Sequence, residues 1–143
     1  MTRPRTAIVA ALPREVGALV RGVRPDRSLT GEGIFLYELP TAVVVCAGMG
    51  AARAAIAVEH ALQRGPVATL VSTGLAGGCD PALPVGSVLE LGEVVDALTG
   101  ERFAASVRGP VLVTTHTIAG VAEKKRLNDS YGCLLYTSPS PRD

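Results

Sequence analysis

Apolar and polar positions fall into short alternating blocks along the first half of the chain. Ala7 to Leu12 is a continuous apolar run and predicts a central buried strand. Pro13 suits a first helical position and predicts a helix over Pro13–Arg21, with Val16, Leu19 and Val20 toward the core. Leu29 to Leu39 contains Gly31, Gly33 and the run Ile34-Phe35-Leu36-Tyr37, which predicts strands of a meander. Thr41 to Ala47 is again apolar and β-branched, hence another strand. After Gly48-Met49-Gly50, Ala51 to Arg64 reads as a helix. Arg53, His60 and Arg64 share its polar side, and Ile56, Val58 and Leu62 are left for packing. Gly65-Pro66 ends it, and Val67 to Thr73 predicts a further strand.

The second half is less regular. Gly86 to Asp96 and Val111 to Thr114 read as strands, and Ala119 to Asn128 as a helix. Strands alternating with helices predict an α/β domain with a largely parallel sheet under helical cover. Between these blocks lies the run Thr73-Gly74-Leu75-Ala76-Gly77-Gly78, where a buried strand ends and side chains almost disappear. Such a run lets the backbone approach a ligand or a packed neighbour, and ligands in open α/β sheets bind at the carboxyl ends of strands. An ordinary glycine-rich turn would give the same composition.

Composition narrows the options further. The 143 residues suffice for one domain, and 48% hydrophobic content supplies ample core material. Only 3% of residues are aromatic and the net charge is +1, so neither a stacking platform nor a basic patch for nucleic acid is present. No apolar run reaches the length needed to span a bilayer, and the short run after Met1 meets Pro13-Arg14-Glu15 without a convincing cleavage site. A cytoplasmic location is therefore expected. Cys46, Cys79 and Cys133 follow no metal spacing and suit a reducing compartment. Cys46 closes an apolar strand as a small core residue would, and Cys79 has no His near it in sequence, which disfavours thiol catalysis. His60 and His116 have no partner at ligand spacing, which disfavours a metal site.

The last eleven residues, Cys133 to Asp143, break the composition and look like the in-frame translation of a transposase-type sequencing adapter. The expectation is therefore a natural segment over 1–132 and an artefactual tail over 133–143, without regular structure and poorly packed.

Three ordered segments resemble the nucleoside phosphorylase superfamily, and within it the 5′-methylthioadenosine/S-adenosylhomocysteine nucleosidases. They are Ile8 to Val16; Gly48-Met49-Gly50 with its alanine-rich helix; and Thr73 to Gly78, followed by Pro84-Val85-Gly86-Ser87-Val88 and Glu93-Val94-Val95-Asp96. The resemblance covers roughly Ala7 to Tyr131. It implies a three-layer αβα nucleoside phosphorylase-like fold with a mixed central sheet, incomplete at the C-terminus. It also implies cleavage of the bond between a purine and ribose, with no cofactor and no metal. The partner would be a small-molecule purine nucleoside, and the full-length protein would be a homodimer.

Such a reaction passes through a ribosyl cation, so charge placement matters more than a strong nucleophile. Glu15 occupies the position of the carboxylate that activates water in the hydrolases, although an acidic residue in a first helical turn also complements the helix dipole. Gly48, Met49 and Gly50 match the glycine loop near the ribose, or near phosphate in the phosphorylases. Leu75, Ala76 and Gly77 match the segment against which the purine lies. A dinucleotide fingerprint would need a glycine at position 53, where the chain has Arg53.

Three positions depart from the pattern. Leu75 stands where relatives commonly place a serine, Ser72 where purine phosphorylases tend to carry a phosphate-binding arginine, and Ser87 where an aspartate usually follows Gly86. The missing guanidinium favours water over phosphate as nucleophile. The Met-Glu segment that holds the ribose hydroxyls and the aspartate that protonates the purine would follow Tyr131, so the chain is expected to be inactive by itself. A phosphate-dependent phosphorylase and a non-catalytic nucleoside-binding module are the alternatives.

Overall fold

In a computed structural model of the chain, the residues described are 3–115, 119–132 and 135–137. They form two units, Met1–Gly74 and Leu75–Asp143. The first unit is a four-stranded sheet in the order β2-β3-β1-β4, made of β1 (Arg5–Ala10), β2 (Phe35–Glu38), β3 (Ala42–Cys46) and β4 (Val67–Ser72). β3 and β4 both run parallel to β1, and β2 pairs antiparallel with β3. The parallel register sets Ala10 opposite Cys46 and Val9 opposite Ser72, so three carboxyl ends leave one edge of this sheet together.

All five residues of β3 are buried, because its two faces feed two cores. Val43 and Val45 pack with Ala7, Val9, Leu36 and the alanines Ala57 and Ala61 of helix α2 (Ala51–Leu62). Val44 and Cys46 pack on the other side with Ala10, Val16, Val20 and Tyr37. Burial of each such valine is worth about 1.5–3 kcal/mol, which explains a continuous apolar run where a half-buried strand would alternate.

The segment after β1 departs from expectation. The predicted helix over Pro13–Arg21 is only a 3₁₀ turn, Pro13–Glu15, followed by further turns. Successive bonds reach back three residues, from Val16 to Pro13 and from Leu19 to Val16. Gly17 at the centre of so short a stretch and β-branched valines at 16 and 20 both disfavour a regular helix. Likewise the predicted meander begins instead with one helical turn, α1 (Arg27–Thr30), capped by Asp26 and leading into β2.

The second unit holds a mixed five-stranded sheet in the order β5-β9-β8-β6-β7. Its strands are β5 (Gly77–Gly78), β6 (Glu93–Asp96), β7 (Arg102–Ala104), β8 (Val111–Thr114) and β9 (Leu135–Thr137). Helix α3 (Val121–Tyr131) packs by Leu127 into a core with Cys79, Val95, Val113, Ala119 and Tyr136. The strand predicted over Gly86–Asp96 is regular only from Glu93, because Ser87 donates through both its N–H and its hydroxyl to the Pro84 carbonyl and closes a turn there.

The expectation that 133–143 would lack a regular element is corrected. Leu135–Thr137 inserts between β5 and β8, parallel to β8, with Tyr136 buried. A Leu-Tyr-Thr triplet has the residue types that fit a pleated, half-buried slot. The rest of that segment, 133–134 and 138–143, lies outside the described residues.

Candidate functional site

Glu15 is placed by the way the chain leaves β1. Pro13 fixes the backbone of the 3₁₀ turn, and the side chain of Glu15, two residues on, turns back toward the strand end. Its Oε2 accepts hydrogen bonds from the N–H groups of Ala11 (3.1 Å) and Leu12 (2.9 Å). The backbone after β4 passes close by, since a Cβ built on Gly74 would lie 3.3 Å from Glu15 Oε1. The carboxylate therefore stands at the shared carboxyl edge of β1, β3 and β4, held by backbone donors and faced by a residue without a side chain.

Cys46 is the neighbouring titratable group. It is completely buried at the end of β3, and burial, with a smaller contribution from the Glu15 charge, pushes its thiol up to about 11. A thiol so protected does not serve as a nucleophile, so Cys46 is a core residue. Cys79 is buried as well, in the second unit. Among the described residues no group of three or more His, Cys, Asp or Glu is placed to hold a metal ion; His116 lies outside those residues.

The Gly48-Met49-Gly50 loop follows β3 at the same sheet edge. Gly48 and Gly50 adopt φ of +107° and +93°, a region that side chains disfavour, and Gly48 N–H donates to the Ala11 carbonyl (2.9 Å). Met49 is substantially exposed. Gly50 caps α2 and makes no side-chain cap bond, so the positive end of a twelve-residue helix lies beside the loop.

Arg53 differs from the reading that put it on a solvated face. It is half-buried and folds back over the loop, donating through Nε to the Ala47 carbonyl and through Nη2 to the Glu32 carbonyl (3.1 Å). Helical spacing gives a side chain's direction but not its path. The signal available in sequence was the pair of glycines at 33 and 48, both of which the guanidinium approaches. Arg64 pairs with Asp26 (2.6 Å) rather than standing free in solvent.

Leu75, Ala76 and Gly77 belong to the second unit. Leu75 and Ala76 are exposed, and Gly77 lies in β5 opposite Tyr136. The Tyr136 ring rests on it so closely that a Cβ at Gly77 would overlap Cε1 of the ring. A cleft of about 420 Å³ in this unit is lined by Gly78, Cys79, Asp80, Lys124, Lys125 and Asn128 among others, and by none of those three residues.

A sequence model of the phosphorylase superfamily matches residues 5–110, from β1 almost to β8. The chain belongs to that superfamily. It is 32% identical over 115 residues to a futalosine hydrolase of Streptomyces coelicolor, a match that takes in 76% of the chain and 47% of the relative. The chain thus spans about half the length of the curated relative it matches. Among solved structures it is similar to futalosine hydrolase of Helicobacter pylori, with a TM-score of 0.73, 12% identity, and coverage of 97% of this chain and 78% of that one. It is also similar to 5′-methylthioadenosine nucleosidase of Arabidopsis thaliana, with a TM-score of 0.69, 19% identity, and coverage of 96% and 73%. These likenesses show the mixed α/β fold of the superfamily. No helix among the described residues is long and apolar enough to cross a membrane.

Proposed function

We propose that the chain carries the water-activating part of a nucleosidase, an enzyme that hydrolyses the N-glycosidic bond of a purine-type nucleoside. The observation that carries this reading is the Glu15 carboxylate, fixed by two backbone N–H groups at the shared strand edge and faced by Gly74. A carboxylate so oriented can take a proton from water as the water attacks the anomeric carbon. By the family resemblance, Gly48, Met49 and Gly50 would lie near the ribose and Leu75, Ala76 and Gly77 near the base, and the N–H groups that open α2 would serve an anion or a water. Ser72 at the end of β4 offers no fixed guanidinium for phosphate, which supports hydrolysis over phosphorolysis.

The relatives support three candidate substrates. The solved nucleosidase of Arabidopsis thaliana acts, by its name, on 5′-methylthioadenosine, and that of Neisseria meningitidis on 5′-methylthioadenosine and S-adenosylhomocysteine. The more similar curated relative acts, by its name, on futalosine, which makes futalosine the first substrate to test beside the other two.

The decisive experiment uses a version extended to the length of the curated relative. It should release base without phosphate, and Glu15→Gln should lower kcat by at least a hundredfold, the weight of general-base catalysis. Phosphate-dependent formation of ribose 1-phosphate, indifferent to Glu15→Gln, would move the protein to the phosphorylases. Binding of nucleoside without turnover in the extended version would leave a binding module.

A further inference from the structure

We propose that Arg53 is a positioning residue for the Glu15 carboxylate and acts on it through two peptide units. The connection is continuous. Arg53 Nε donates to the Ala47 carbonyl. The N–H of the same peptide unit, that of Gly48, donates to the Ala11 carbonyl at 2.9 Å. The N–H of that next unit, belonging to Leu12, donates to Glu15 Oε2 at 2.9 Å. A cation therefore stands at one end of the chain of hydrogen bonds and an anion at the other. The two peptide dipoles between them point the same way, each with its carbonyl toward Arg53 and its N–H toward Glu15.

Hydrogen bonds in series polarise one another, and those ending on charged groups are the stronger ones. The guanidinium draws on the Ala47 carbonyl, which makes Gly48 N–H a better donor. That in turn sharpens Leu12 N–H as a donor to the carboxylate. Arg53 is also anchored at its far end by the Glu32 carbonyl at 3.1 Å, so the cation is fixed against the loop. Two glycines make room for it: a Cβ at Gly48 would sit 3.4 Å from Arg53 Nε, and one at Gly33 3.5 Å from Nη2. The device ties the Gly48–Gly50 loop and the Glu15 turn into one unit, so that the ribose-facing backbone and the water-activating group keep their spacing. This role rests on the reading of Glu15 as the water-activating group, but its test measures amide exchange and not turnover, so the two can fail separately.

Hydrogen–deuterium exchange is measured on the 143-residue chain at micromolar concentration, by mass spectrometry with fragmentation to single residues. In Arg53→Gln, Gly48 N–H and Leu12 N–H are expected to exchange roughly fivefold faster, the weight of one ordinary hydrogen bond. Thr73 N–H, bonded to the Val9 carbonyl outside the series, should keep its rate. Arg53→Lys retains the charge and should restore most of the protection at Leu12. In Glu15→Gln the effect should run the other way, from the carboxylate back to Gly48 N–H, whose acceptor is the Ala11 carbonyl, so that Gly48 N–H exchanges faster. Faster exchange at Gly48 alone in Arg53→Gln would make Arg53 a local loop tie and overturn the proposal. Should Arg53→Gln release Thr73 as well, the fold has been lost and Glu15→Gln decides: a faster Gly48 sustains the coupling, and an unchanged one refutes it.

Discussion

Gly77 and Tyr136 show how much one missing side chain can matter. The ring lies where a Cβ of residue 77 would be, and it is buried, so it has little room to retreat. Gly77→Ala is expected to cost about 1–3 kcal/mol, the usual penalty for overpacking, read as a lower midpoint in urea unfolding. In a Tyr136→Ala background the same substitution should cost much less. An equal cost in both backgrounds would show that the ring is not the reason for the glycine. Residue types made some of this legible in the sequence. An acid two residues past a proline at a strand end, and glycines bracketing a methionine, stand out without coordinates. The fold-back of Arg53 does not, because a helical wheel says only which way a side chain starts. The contact between Gly77 and Tyr136 joins residues far apart in sequence, and no local pattern announces it.

The elements of the first unit are cross-braced by charge. Asp26 caps α1 by accepting from Ser28 N–H (2.9 Å) and from its hydroxyl (2.7 Å), and it pairs with Arg64 just beyond α2 (2.6 Å). The Ser28 hydroxyl, then Arg64, then the Ser28 N–H hold its carboxyl well below the usual 3.8, at about 2. A lowered folded value favours the ionised form in the native state. Its contribution is therefore complete above the unfolded value and vanishes as pH falls through the folded one. Wild type should be more stable than Asp26→Asn by a constant margin near neutrality, with the gap closing between about pH 4 and about pH 2. Thermal unfolding in a pH series checks this, and a margin that persists at about pH 2 would assign the effect to something other than the charge. At this scale β1, β3, α2 and β4 were legible, because each is a long apolar or alanine-rich run bounded by glycine or proline. The segment after Pro13 was not. Its hydrophobic spacing suits a helix, yet Gly17 and two β-branched residues leave it as turns. Residues 86–92 are apolar enough for a strand, but Ser87 spends its donors on a turn.

For the molecule as a whole, apolar surface and buried thiols have opposite consequences. β4 is the last strand of its sheet among the described residues, and Leu70 and Val71 on it are 50% and 39% exposed. An apolar terminal strand invites pairing with another chain. The 143 residues are expected to self-associate as concentration rises, seen by light scattering, and Leu70→Lys should raise the soluble monomer fraction. Unchanged scattering in that variant would place the sticky surface elsewhere. The interior offers a different use. Cys46 lies in the first unit and Cys79 in the second, and both are buried. A thiol in such a place reacts with a modifying reagent only when its surroundings come apart, so each cysteine works as a clock for the opening of its own half. With Cys133 replaced by serine, two separate labelling rates would mean that the halves open on their own schedules, and one shared rate that they open together. Cys46 should keep the slower time, since β3 is covered on both faces.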